Sequence, residues 1–177
     1  MGLLKIARLG HPAIRAGGEI VNAGTCATQE FQDLLDDLIE TMRDADGVGI
    51  AAPQVHRPHR AIVIEVEPTN PRYPGYQPVP LTILVNPKMT RHSSETIEDW
   101  EGCLSLPDLR GRVPRWRSVT VEAIDRQGGT IELQAEGFFA RVLQHEIDHL
   151  DGKVFVDRMS DLSTLTHLHE YRRYWAC

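Results

Sequence analysis

The segment Gln144-His145-Glu146-Ile147-Asp148-His149 sets two histidines four residues apart with a glutamate between them. On a helix, positions i and i+4 share one face, about one turn apart, so both imidazoles can turn a nitrogen toward one cation. Glu146 then stands on the flank of that face, within reach of a water on the cation without being a ligand itself. This is the arrangement in which a metal activates water and a carboxylate moves its proton. The same pattern also arises by chance, as a helix whose histidines face solvent or accept core hydrogen bonds. Against that alternative stands the apolar stripe Phe139, Leu143, Ile147 and Leu150. It sets the polar groups near a core, where each needs a partner.

A catalytic site of this kind holds three protein ligands and keeps one position open. His11, His56, His59, His92, His167 and His169 lie in loops or tails with no supporting pattern. Cys103 is better placed, in Trp100-Glu101-Gly102-Cys103-Leu104-Ser105-Leu106-Pro107, with a glycine before it and a proline that ends any strand soon after. Beside a divalent cation a thiol is deprotonated and becomes a strong ligand; a buried structural cysteine is the alternative. Metal-bound histidines usually donate their second N–H to a carboxylate or carbonyl, for which Glu101 and Asp148 are candidates. Arg115 is a further candidate for that surround, but reads first as surface charge. A third segment, Gly47-Val48-Gly49-Ile50-Ala51-Ala52-Pro53-Gln54, carries two glycines but no preceding strand and no Lys-Ser/Thr, so it is a poor phosphate loop. It reads better as backbone that comes close to a ligand, with the Gln54 amide able to donate to a developing oxyanion. A helix cap followed by a turn is the plainer reading.

The elements that must position these groups are partly legible. Phe31, Leu34, Leu35, Leu38, Ile39 and Met42 recur at the spacing of one buried helical face over residues 28–44, with Thr28 as N-cap. Ala61-Ile62-Val63-Ile64 within residues 60–66 is a short apolar run that predicts a buried strand, and Ile83-Leu84-Val85 predicts another. Between them, residues 68–80 hold Pro68, Pro71, Pro74, Pro78 and Pro80, which remove backbone donors and predict a loop. That loop is either a rim or flap near a substrate groove or a passive surface segment. Residues 118–124 and 130–136 alternate in polarity around Gly128-Gly129, the pattern of a hairpin. Residues 138–150 return to helical period, with Gly152 as a stop, and a last helix is expected over residues 161–175. Strands in runs rather than in strict alternation with helices indicate an α+β fold.

With 177 residues, one catalytic domain over residues 1–177 is the expectation. A net charge of -6 argues against a protein that coats nucleic acid through phosphate contacts, and no direct nucleic-acid readout is expected. Three cysteines, Cys26, Cys103 and Cys177, are too few and too odd in number for a disulfide framework; a Cys26–Cys103 bridge would require an oxidising compartment. Residues 1–15 carry no apolar run of signal-peptide length, and no segment approaches the ~20 apolar residues that cross a bilayer. The expectation is a cytoplasmic chain with reduced thiols and no membrane partner.

Together the three segments resemble the peptide deformylase family, whose motifs are G-x-G-x-A-A-x-Q, E-G-C-x-S and Q-H-E-x-D-H-L-x-G. They stand here at Gly47–Gln54, Glu101–Ser105 and Gln144–Gly152, in the family's order. The likeness runs over roughly residues 6–157. It implies a small α+β domain with antiparallel sheets packed around the H-E-x-x-H helix. It implies that Cys103, His145 and His149 bind one divalent metal, commonly ferrous iron, with zinc, nickel or cobalt able to occupy the site. Glu146 would be the general acid/base, and Gln54 with the backbone N–H of Leu104 would stabilise the oxyanion. The substrate would be an N-formyl-methionyl nascent chain, bound extended beside Gly47, Val48 and Gly49, with Val48, Leu104 and Val142 walling the methionine pocket. A ribosome contact near the exit tunnel is a further possibility of the family role. One departure is His56, at a position where many members carry glycine. Two rivals are a zinc peptidase, which usually takes its third ligand downstream on the chain, and a non-catalytic binder of formyl-peptides, which has no need of Glu146 or Gln54.

Overall fold

The computed structural model describes residues 2–73 and 75–176; Pro74 and Cys177 of the sequence reading lie outside them. Two short helical segments, α1 (Pro12–Ala16) and α2 (Ala23–Cys26), precede the first long helix, α3 (Gln29–Asp44). Thr28 caps α3, its side chain accepting from the Phe31 N–H at 3.3 Å. All six apolar residues of the expected face are buried.

Strands β1 (Gly49–Ala51), β2 (Ala61–Val66), β3 (Val79–His92), β6 (Ser118–Ile124) and β7 (Thr130–Glu136) form a five-stranded sheet in the order β1-β2-β3-β6-β7. Strands β4 (Thr96–Cys103), β5 (Leu106–Trp116) and β8 (Thr166–His167) form a second sheet in that order. Every pairing within the two sheets is antiparallel. The helix α4 (Gly137–Leu150) touches β1, β2, β3, β6 and β7 of one sheet and β5 of the other. The protein is a small α+β domain built around that helix.

The larger sheet explains its own sequence pattern. From β2, Ile62, Ile64 and Val66 pack into the cluster that includes Leu143 and Leu150 of α4, while Ala61 and Val63 pack with Leu35 and Leu38 of α3. A strand covered on both faces reads as a continuous apolar run instead of alternating. The β6–β7 hairpin pairs Ser118 with Glu136 through Ile124 with Thr130. Its turn is held by Asp125 Oδ1, which accepts from the Gln127 and Gly129 N–H groups at 2.9 and 2.7 Å.

Three expectations are corrected. The run Ile83–Val85 is the middle of the much longer β3, whose polar end, Lys88–His92, pairs with β6. Pro107 does not end a strand; it lies inside β5. The register jumps from Glu101–Gly111 to Cys103–Leu106, so residues 107–110 bulge out of the β4 ladder, where a missing N–H costs no hydrogen bond to that strand. The C-terminal helix is shorter than residues 161–175: α5 spans Leu168–Tyr174. Upstream of it, Asp161 accepts from the Ser163 N–H and hydroxyl and from the Thr164 hydroxyl, and Thr166 and His167 pair with β5. Such local side-chain bonds compete with a helical backbone.

Candidate active site

Cys103 ends β4, and the turn through Leu104 and Ser105 leads into β5. Its sulfur lies 3.2 Å from His149 Nε2. One donor atom each from Cys103, His145 and His149 falls within 4.8 Å of the others, and all three residues are buried. His145 Nδ1 bonds Glu101 Oε2 at 2.8 Å, which leaves the other ring nitrogen for the thiol side. Burial opposes ionisation of the Cys103 thiol. The charges of His149 and His145 and their hydrogen bonds outweigh it and hold the thiol well below its ordinary range. A thiolate between two imidazoles is a donor set for a borderline-soft divalent cation, and three donors leave a fourth tetrahedral position open. His11, His56, His59, His92, His167 and His169 join no such cluster among the described residues.

Behind the histidine pair lies a charged network. Arg115 donates to both oxygens of Glu101, at 2.8 and 3.0 Å, and to Asp148 Oδ2 at 2.6 Å. Arg141 adds a bond to Glu101 Oε1 at 2.8 Å, and Arg158 reaches the outer side of Asp148. Burial alone would raise the Glu101 carboxyl, but the Arg115 charge and the His145 and Arg115 hydrogen bonds hold it far below the usual carboxylate range. Glu101 therefore stays ionised and fixes the orientation of His145. Arg115, read first as surface charge, is only 5 % exposed. Arg141 escaped the sequence reading altogether. Its signal was the spacing: Arg141, His145 and His149 recur every four residues and share one face of α4.

Glu146 lies on the same helix, buried beside β1. Burial pushes its carboxyl up to about 7, with the nearby histidine charges opposing. A Cβ at Gly49 would overlap this carboxylate, so the position admits only glycine without rearrangement. Glu146 Oε2 and His149 Nδ1 are the buried side-chain polar atoms without a hydrogen-bond partner among the described residues. An unpartnered buried carboxylate oxygen carries a desolvation penalty, and this one sits beside the three donor atoms.

Gln54 stands in a 3₁₀ turn, Ala52–Val55, after β1. Its Oε1 accepts from the Ala51 N–H at 2.8 Å, which turns Nε2 toward Ser105 Oγ at 3.1 Å and the Cys103 sulfur at 3.7 Å. His56 closes that turn in the left-handed region, φ 63°, with its ring against His11 at 4.5 Å. A histidine thus takes a conformation that glycine adopts most readily.

One cleft joins these groups. Gly47, Val48, Gly49, Leu104 and Val142 line it, together with Gln54, Cys103, His145 and Glu146. Arg72, Tyr73, Trp100, Phe138 and Arg141 line it as well, and were not foreseen. Tyr73 and Tyr76 of the proline-rich loop rest on Phe138, with ring centroids 5.0 and 4.0 Å apart. That loop is a rim of the cleft. The cleft runs past β1, an end strand of the larger sheet, and β4, an end strand of the smaller one.

A donor triad with an open place beside a buried carboxylate suits the metal-assisted attack of water on a carbonyl. The protein is in this sense a metal-dependent hydrolase. Residues 3–164 match the family described as Polypeptide deformylase. The chain is 46% identical over 165 residues to Peptide deformylase 2 of Nostoc sp., covering 93% of this chain and 90% of that one. Its fold is similar to a solved class I type b peptide deformylase from Acinetobacter baumannii, with TM-score 0.87 and 39% identity over 90% of this chain and 100% of that one. The same Acinetobacter enzyme has been solved bound to Met-Ala-Ser, at TM-score 0.86 and 39% identity, covering 89% of this chain and 99% of that one. The chain belongs to the peptide deformylase family. Its reaction is the hydrolytic removal of the N-formyl group from the N-terminal methionine of newly made proteins, with release of formate. The peptidase and non-catalytic readings fall with that membership. Among the described residues, no helix is long and apolar enough to cross a membrane.

Proposed function

We propose that the 1–177 chain works as one catalytic unit in which Cys103, His145 and His149 hold a single divalent cation and Glu146 is the general acid/base. The observation that carries this reading is the buried Glu146 oxygen without a protein partner, beside three donor atoms within 4.8 Å of one another. A cation bound there supplies Lewis acidity to the formyl oxygen and lowers the pKa of water to ~7. Ferrous iron is our choice for the native ion, with zinc, nickel and cobalt as competent substitutes, since thiolate and imidazole donors suit all four.

The remaining steps belong to the chain's own groups. An N-formyl-methionyl peptide lies extended beside the Gly47–Gly49 loop, adding strand-like hydrogen bonds along the outer edge of β1 at Gly49. The Met-Ala-Ser complex of the Acinetobacter enzyme supports this class of ligand. Val48, Leu104 and Val142 wall the pocket for the methionine side chain. Gln54 Nε2 and the Leu104 N–H donate to the oxygen that gains charge as the carbonyl is attacked. Glu146, with its carboxyl near 7, takes a proton from the attacking water and passes it to the departing amine nitrogen. Glu101 keeps the His145 ring oriented throughout. The setting we propose is the cytoplasm, on nascent chains close to the ribosomal exit.

The test is metal content of anaerobically purified protein measured alongside formate release from a formyl-Met peptide. We expect about one iron per chain and turnover that disappears on chelation and returns with ferrous ion. Full turnover in metal-free protein would overturn the reading. A different native ion would overturn the choice of iron alone.

A further inference from the structure

The family match ends at residue 164, yet residues beyond it pack on a side chain that lines the cleft. Trp100 lines the cleft and lies outside the E-G-C-x-S motif. Its indole ring packs on Tyr171 of α5 at 5.0 Å and on Trp175, just past the helix end, at 5.8 Å. Trp175 is 58 % exposed, and its ring contact is with Trp100. An aromatic contact of this kind favours one rotamer of a half-buried tryptophan.

We propose that the C-terminal segment, through Tyr171 and Trp175, braces Trp100 as a specificity wall for the substrate residues that follow the methionine. The inference rests on the active-site reading above. A strand advances about 3.3 Å per residue, so Trp100, three residues before Cys103 on β4, stands roughly 10 Å back from the thiol. An extended peptide whose first residue meets the donor triad brings its third residue to that level. With Tyr73 and Phe138 across the cleft, the wall there is aromatic and takes an aromatic or apolar side chain. Trp100 touches the substrate; Tyr171 and Trp175 are positioning residues that act through it.

The experiment measures kcat and KM for formyl-Met-Ala, formyl-Met-Ala-Ser and formyl-Met-Ala-Phe on the full chain and on single variants. In the unmodified protein kcat/KM for the Phe peptide is expected to exceed that for the Ser peptide by about tenfold, mainly through KM. Trp100→Ala should reduce that ratio to near one. Tyr171→Ala and Trp175→Ala should each lower it severalfold while leaving formyl-Met-Ala turnover and metal content unchanged, and Tyr171→Phe, which keeps the ring, should restore it. A ratio that survives Trp100→Ala overturns the wall. A ratio that falls with Trp100→Ala but not with Tyr171→Ala or Trp175→Ala overturns the bracing. A uniform loss on all three peptides, with metal lost too, would show a structural role and overturn the inference. Failure of the unmodified protein to release formate from any of the peptides would instead strike the active-site reading.

Discussion

The helices α3 and α4 have similar lengths, 16 and 14 residues, and opposite logic. α3 buries one apolar face against the sheet and presents Glu, Asp, Gln and Arg elsewhere, so its own sequence accounts for its place. α4 is buried almost all round from Ala140 to Leu150, and six of those eleven positions, Arg141, Gln144, His145, Glu146, Asp148 and His149, are polar. Such a helix is stable only because distant segments supply partners: Glu101 from β4, Arg115 and the Trp116 backbone from β5, and Cys103 at the strand end. An apolar face needs only burial, which any complementary surface provides. A buried polar face needs partners of matching geometry, and those can be arranged for chemistry.

The sharpest way to break the comparison is to remove chemistry from α4 without disturbing its shape. Glu146→Gln should keep the metal and the fold while formate release falls by ~10²–10⁴-fold, the share that general acid–base help supplies. Near-normal turnover in that variant would end the acid/base assignment. Next, Arg115→Ala leaves two buried carboxylates short of a cation. Breaking such a pair costs about 3–5 kcal/mol, visible as a lower urea midpoint, and metal affinity should fall as His145 loses its fixed partner. In α3 the matching cut is Leu38→Ala, which opens a cavity in a fully buried position. It should cost about 2–5 kcal/mol yet leave kcat of the folded protein unchanged. If it lowered kcat as Glu146→Gln does, the division of labour between the helices would be wrong.

The smallest effect separates the helices by pH. Asp148 would be raised by burial, but hydrogen bonds and charge from Arg158 and Arg115 hold it below its ordinary value. Asp36 of α3 is lowered too, chiefly by its hydrogen bond to Arg126, but near the surface, where solvent screens the pair. A carboxyl depressed in the folded state contributes stability that is full above its unfolded pKa of about 4 and is lost as pH falls toward the folded value. Unfolding midpoints measured from pH 6 downward should therefore drop below about pH 4. Asp148→Asn should make that limb shallower, the Glu101 share remaining, and Asp36→Asn should barely change it.

The legibility of the chain follows the same divide. The face of α3, the two-sided burial of β2 and the β6–β7 hairpin were readable because period and turn residues are local properties. The donor set was readable in types and spacing: His145, Glu146 and His149 through the helical repeat, and Cys103, Gln54 and Leu104 chiefly through the family motifs that carry them. The length of β3, the bulge at residues 107–110 and the shortened α5 were not: β3 and the segment before α5 pair with strands distant in sequence, and the bulge is a register jump between β4 and β5 that no local period announces. Arg115 and Arg141 look like ordinary surface cations until the carboxylate between them is seen to be buried.

By itself the sequence singled out the groups proposed to bind a cation and move a proton, because donor type and helical spacing are intrinsic to the chain. Only the tertiary structure decided that Cys103 meets the two imidazoles, that Glu101 is locked between two arginines, that the proline-rich loop borders the cleft, and that the C-terminal helix packs on Trp100. Those contacts join residues tens of positions apart, and their energies come from desolvation and packing that exist only once the chain has folded.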